Sequence, residues 1–214
     1  MRDEKSMRAA LLVTMAFCAA LSANAQGHQS VYGPSTPGDS AFVRVLSLLP
    51  DPVRISLGAT RIGPVAASSI SSYQPVVPDI YVVRAGGREL EVVPKSGTWL
   101  TIACTPKGIL LFSDPPHTDP ARAQVFLYNL TTLPSLDLRT ADGKTTVLAG
   151  VKSGASAQVV VNAISVSLAL YNGSTLVTQV GSLALQRGSS FSVFALGQGT
   201  PVSVLTVKAD VKVN

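Results

Sequence analysis

Cysteine, histidine and tryptophan are scarce in this 214-residue chain, which has two, two and one of them respectively. Cys18 lies in the leader described below, so Cys104 is left alone and no intramolecular disulfide is expected. The run TWLTIACT around Cys104 suits a small buried thiol better than a reactive one. The two histidines, His28 and His117, fall in separate loop-like stretches, so no metal and no cofactor is expected. Carboxylates are sparse, and Glu89 and Glu91, two apart on one strand, read as a solvated face rather than an acid–base pair. The basic residues are scattered with no run of the kind nucleic acid selects, so no nucleic-acid partner is expected. No stretch after the leader keeps a helical period for three turns, which excludes the alternating strands and helices of an α/β enzyme. A phosphate-binding glycine loop is also missing from the sequence.

What the chain does have begins with an export signal. Residues 1–25 place Arg2, Lys5 and Arg8 before an apolar run and end in Ala23-Asn24-Ala25, the layout of a cleaved signal peptide. Cleavage after Ala25 lowers the formal net charge from +5 to +4 and leaves no membrane span. A periplasmic protein is expected, with a weak attraction to acidic polysaccharide.

From Ala41 onward the sequence is a series of short β-branched and apolar runs broken by Gly, Pro and Asn. In VRISL, Val53, Ile55 and Leu57 share one face while Arg54 and Ser56 share the other, the alternation of a half-buried strand. The second half repeats the first: YVVRAGGREL (81–90) lies over LALYNGSTLV (168–177), and GTWLTIACTPKG (97–108) over GSSFSVFALGQG (188–199). AFVRVLSL likewise lies over AQVFLYNL. Asp142-Gly143 and Asn172-Gly173 read as hairpin turns. The expected fold is all-β, two tandem antiparallel β-sandwich domains at 41–116 and 117–214, preceded by an extended arm at 26–40. SDPPHTDPAR, with its three prolines, reads as a short stiff linker between them.

Two short motifs invite a catalytic reading. Gly38-Asp39-Ser40 and Asp114 to His117 match the G-D-S and D-x-x-H of SGNH esterases and acetyl-transferring enzymes. Such chemistry needs the serine at the end of a core parallel strand and opening a helix. Here GPSTP precedes Ser40 and a strand follows it, and a whole β domain follows His117. The matches are therefore read as coincidental, no catalytic residue is assigned, and no enzyme is expected. Trp99 and Tyr81 lie in apolar runs and read as core rather than as a sugar-stacking platform.

The stretch VYGPSTPGDSAFVRV (31–45), with LRTADGKTTVL (138–148) and VSLALYNG (166–173), resembles the AlgF family of periplasmic alginate O-acetylation proteins over essentially the whole mature chain. The resemblance implies a non-catalytic adaptor required for O-acetylation of alginate. It would link a membrane acetyl-export step to periplasmic SGNH-type acetyltransferases, its first expected partners. The membrane-bound O-acyltransferase and alginate itself are second candidates, the latter as the ligand of an alternative role, a uronate-binding module. Partner-binding residues are expected at Tyr32 and Pro34 in the arm, a preordered peptide, and at Arg44, whose bland alternative is a solvated strand face.

Overall fold

The alternating runs form strands throughout the computed structural model, which describes residues 38–199 and 201–211. The signal peptide, Tyr32 and Pro34 lie outside the described residues. The first half contains β1 (Ala41–Ser47), β2 (Val53–Leu57), β3 (Thr60–Val65), β4 (Ser69–Ile70), β5 (Gln74–Val76), β6 (Tyr81–Ala85), β7 (Arg88–Val92), β8 (Trp99–Thr105) and β9 (Gly108–Ser113). The second contains β10 (Ala123–Thr131), β11 (Ser135–Thr140), β12 (Thr146–Lys152), β13 (Ser156–Val161), β14 (Ser165–Asn172), β15 (Thr175–Ala184), β16 (Ser190–Gly197) and β17 (Ser203–Lys208). The all-β class read from the sequence is thus the one observed.

Turn chemistry sets the hairpins. Ala85 pairs with Arg88, so Gly86 and Gly87 alone make the β6–β7 turn, with φ of +57° and +71°. Two positive φ values in a two-residue loop are the primed geometry that strand twist favours, and glycine adopts them without strain. In the second copy Asn172 still pairs with Thr175, so the turn is Gly173-Ser174, one residue later than the Asn-Gly reading, and only Gly173 has positive φ, at +61°.

Each half has the same plan. β1 is flanked by β4 and β5 on one side and β8 on the other, with β9 beyond; β10 is flanked by β13 and by β16, with β17 beyond. The hairpins β2–β3 and β6–β7 form separate two-stranded sheets in the first half, whereas β12-β11-β14-β15 joins into one sheet in the second. One feature departs from the purely antiparallel expectation. The central pairs are parallel, with Phe42 beside Trp99 through Ser47 beside Cys104, and Gln124 beside Ser190 through Thr131 beside Gly197. A parallel pair needs a long crossover, and here the hairpins between the two paired strands supply it.

The central strands are buried on both faces, and period two explains how. Val43, Val45, Ile102 and Cys104 point into a core shared with β2, β3, β6 and β7. Val125, Leu127, Val193 and Ala195 point into the matching core of the second half. The intervening residues, Leu46 and Ala103 from one half and Phe126, Tyr128, Phe194 and Leu196 from the other, meet in a third core between the halves. All nine residues of β10 are buried. Each large apolar side chain in that third core contributes roughly 1.5–3 kcal/mol, so the seam is held as the cores are, and both halves belong to one compact unit spanning Thr36–Asn214.

The segment expected as a linker is a strap packed on this seam. Asp114 is buried, the Pro115 carbonyl accepts from Gln124 Nε2 at 3.0 Å, and His117 Nε2 lies 2.9 Å from the Arg122 carbonyl.

Candidate functional site

Arg44 projects from β1 into the seam rather than outward. It is 2% exposed, so it presents neither a partner contact nor a solvated face, and both sequence expectations for it are replaced. Position 44 has the parity of Leu46, which faces the third core, and burial of a guanidinium there demands partners. Its Nε donates to Thr101 Oγ1 at 2.8 Å, and Nη2 donates to Tyr128 OH and Ser192 Oγ, each at 2.9 Å. The guanidinium also stacks over the Tyr73 ring, 4.4 Å from its centroid.

The counter-charge is Asp114. Its nearest oxygen is 3.8 Å from Arg44 Nη2, beyond hydrogen-bond length, and two hydroxyls bridge the gap. Tyr128 OH accepts from Arg44 and donates to Asp114 Oδ1 at 2.5 Å. Thr101 Oγ1 accepts from Arg44 and donates to Asp114 Oδ2, and Tyr73 OH adds a third donor at 2.7 Å. Burial pushes the Tyr73 and Tyr128 hydroxyls far above the ordinary phenol range, against the pull of Arg44 and with the help of Asp114. Both therefore remain protonated donors. Arg44, Tyr73, Thr101 and Asp114 come from the first half, Tyr128 and Ser192 from the second, so the network ties the halves together.

This arrangement decides where the D-x-x-H pair stands. The Asp114 carboxylate faces Arg44, Tyr73, Thr101 and Tyr128, while the His117 ring bonds a backbone carbonyl. Ser40 is buried at the head of β1, its carbonyl accepting from Gly97 N at 3.0 Å. Among the described residues no hydrogen bond joins the three into a relay.

Beside the network a cavity of about 250 Å³ opens at the seam, lined by Trp99, Asp114, Pro116, His117, Gln124 and Phe126 among others. Trp99 is half-buried, stacked on Phe42 at 4.3 Å between ring centroids and met edge-on by Tyr73 at 4.8 Å. Tyr81 packs against the first core, and its hydroxyl donates to the Val77 carbonyl at 2.6 Å. Glu89 and Glu91 are exposed, with Glu89 paired to Arg84 at 2.6 Å. Among the described residues no group of three His, Cys, Asp or Glu side chains is placed to hold a metal ion.

Sequence reasoning missed the Arg44–Asp114 network, though one signal was present. In the repeat Arg44 aligns with Phe126, and an apolar residue at the equivalent position marks an inward face.

A family model described as "Alginate O-acetyl transferase AlgF" matches residues 10–192. The chain is 32% identical over 197 residues to the alginate biosynthesis protein AlgF of Pseudomonas putida, covering 92% of this chain and 91% of that protein. It is 31% identical over 184 residues to the protein of that name from Pseudomonas aeruginosa, covering 86% and 85%. A solved structure of the C-terminal domain of AlgF from P. aeruginosa is 33% identical and covers 41% of this chain and 98% of its own, with a TM-score of 0.38. With a family match across most of its length and relatives above 30% identity over 86–92% of the chain, this chain belongs to the AlgF family of alginate biosynthesis proteins.

Proposed function

We propose that this protein is a non-catalytic periplasmic adaptor for the O-acetylation of alginate, joining a membrane acetyl-export step to periplasmic acetyltransferases. The family description contains the word transferase, so the point to argue is the absence of chemistry. The observation that carries it is the fate of Asp114. A catalytic aspartate in a Ser-His-Asp relay holds the imidazole by a hydrogen bond. Here its carboxylate is taken up by three hydroxyls and a guanidinium, while His117 Nε2 is turned to the Arg122 carbonyl. Two further points support docking: one compact unit whose sheets end in edge strands such as β9, β15 and β17, and an N-terminal sequence that reads as an export leader.

The test separates the two halves of the claim. A producing strain lacking the gene is complemented with wild type or Ser40→Ala, and the acetyl content of its alginate is measured. Wild-type acetylation with Ser40→Ala supports a role without a serine nucleophile; loss of acetylation by a folded, exported variant overturns it. Calorimetry of the mature protein against the pathway's periplasmic acetyltransferases tests the adaptor role, and no association with any of them removes it.

A further inference from the structure

We propose that the free edge of β9, together with the groove it borders, docks an extended segment of a partner protein carrying an apolar residue and, two positions on, a carboxylate. This deepens the adaptor reading and rests on it. The backbone supplies the first argument. In the β8–β9 pair the Asp114 N–H donates to the Trp99 carbonyl at 2.8 Å, and hydrogen-bonded pairs recur at every second residue of an antiparallel ladder. With Leu100 beside Ser113 and Ile102 beside Leu111, Gly108, Leu110 and Phe112 turn their peptide groups toward β8. Ile109, Leu111 and Ser113 turn theirs away, and among the described residues none of those groups finds a backbone partner. Edge strands ordinarily carry a proline, a charge or a bulge that discourages pairing. Pro64 stands in β3, Pro75 in β5 and Lys208 in β17, and register shifts break the ladders of β12 and β15. β9 reads GILLFS, with no charge, no proline and an unshifted register.

The side chains beside this edge supply the second argument. A groove of about 440 Å³ opens at the seam, lined by Leu48 and Leu110 from one half and Leu130 and Leu196 from the other, all packed on the third core. A residue added opposite Leu110 points to the same face as Leu110, so its side chain enters the groove. In an antiparallel addition the residue two positions on lies opposite Gly108, next to Lys107. Lys107 makes no ion pair among the described residues, and the groove's lining holds Lys107 but no carboxylate. β13 is as plain an edge as β9, yet none of its residues lines the groove. A row of outward peptide groups at two-residue spacing matches another peptide backbone and not a sugar chain. A second copy meeting edge to edge would present Leu110 and Phe112, already packed in its own seam, and no acid within β9.

The mature protein labelled with ¹⁵N is titrated with the peptides acetyl-TVTLTDT-amide and acetyl-TVTLTKT-amide, and amide shifts and hydrogen exchange are read along β9. The first peptide is expected to shift and protect the amides of Ile109, Leu111 and Ser113, while those of Leu110 and Phe112, already bonded to β8, keep their exchange rates. It should bind about fivefold more tightly than the second, the worth of gaining one exposed ion pair and losing one like-charge contact. In Lys107→Ala the two should bind alike. No response at saturation, protection away from the β9 edge, or equal affinity of the two peptides for wild type overturns the proposal. So does protection of Leu111 that rises with protein concentration in the absence of peptide, since a second copy would then be the occupant. Leu111→Pro removes an outward N–H and no ladder bond, whereas Leu111→Ala keeps that N–H. An acetyltransferase that binds wild type should bind Leu111→Pro about tenfold more weakly and Leu111→Ala within about threefold. Equal binding to wild type and Leu111→Pro overturns the docking edge and leaves the adaptor intact; failure of every acetyltransferase to bind wild type overturns the adaptor, and the peptides still judge the edge.

Discussion

Replacing Asp114 with alanine should be among the most damaging single substitutions in this molecule. The side chains of Arg44 and Asp114 are each 2% exposed, so solvent screens neither. Asp114→Ala leaves a buried guanidinium with neutral acceptors alone and leaves the Tyr73 hydroxyl without its acceptor. Breaking a buried ion pair from one side costs about 3–5 kcal/mol, against a total stability of roughly 5–15 kcal/mol for a domain. With a urea slope of about 1–3 kcal/mol per molar, the midpoint should fall by about 2 M. Arg44→Met removes the cation but leaves the carboxylate its three O–H donors. Because both residues act through Thr101 and Tyr128, the Arg44→Met, Asp114→Ala pair should cost less than the two singles together, by about 0.5–3 kcal/mol. Urea unfolding should be followed by Trp99 fluorescence, which reports the first half, and by far-ultraviolet circular dichroism, which reports both. In wild type the two transitions should coincide; in Asp114→Ala the fluorescence transition should come first. A loss under about 1 kcal/mol, or strictly additive singles, would refute the idea that the two hydroxyls couple the charges.

Two further outcomes follow from individual side chains. Burial pushes the Cys104 thiol up to about 11, so a thiol reagent at pH 8 should leave the folded protein unlabelled and react fully in urea; rapid native labelling would contradict the packing. The same shift means that stability falls as pH rises from about 9 toward 11, because the unfolded thiol ionises first. For Asp137, burial pushes the carboxyl up, but the Gly150 N–H and the Arg139 guanidinium together outweigh it and hold it below the usual carboxylate range. Its contribution is therefore present above about pH 4 and lost as pH falls through the lowered value. Asp137→Asn should cost about 1 kcal/mol at neutral pH and flatten the acid limb of the stability curve, and an unchanged acid limb would count against it.

The legible parts of the fold were those written in local pattern. VRISL shows its buried face outright, and the repeat pairs the β6–β7 hairpin with β14–β15 correctly. Strand direction was not legible, since neither composition nor alternation distinguishes β1 beside β8 in parallel from an antiparallel neighbour. The site was hidden for a different reason. Its members, at 44, 73, 101, 114, 128 and 192, are joined by partners as much as 148 positions apart, and a lone arginine in a strand looks the same whether it faces water or a carboxylate. Asp114 was noticed, but as half of a motif with His117 three residues on. The fold instead turns it toward a tyrosine 14 positions away, because the parity of the central strands sends one full face of each half into the other.

That shared face carries a consequence for symmetry. Were the two halves separate, identical copies meeting through the same surface, any residue at the place of Arg44 would occur twice, and its counter-charge would have to occur twice as well. Joining the copies in one chain removes that constraint. Position 44 is arginine and its counterpart is Phe126; Ala103 is small where its counterpart Phe194 is large. One half supplies both ions together with Tyr73 and Thr101, and the other closes the shell with the ring and hydroxyl of Tyr128 and the hydroxyl of Ser192, an asymmetry open only to a repeat whose copies have been free to differ.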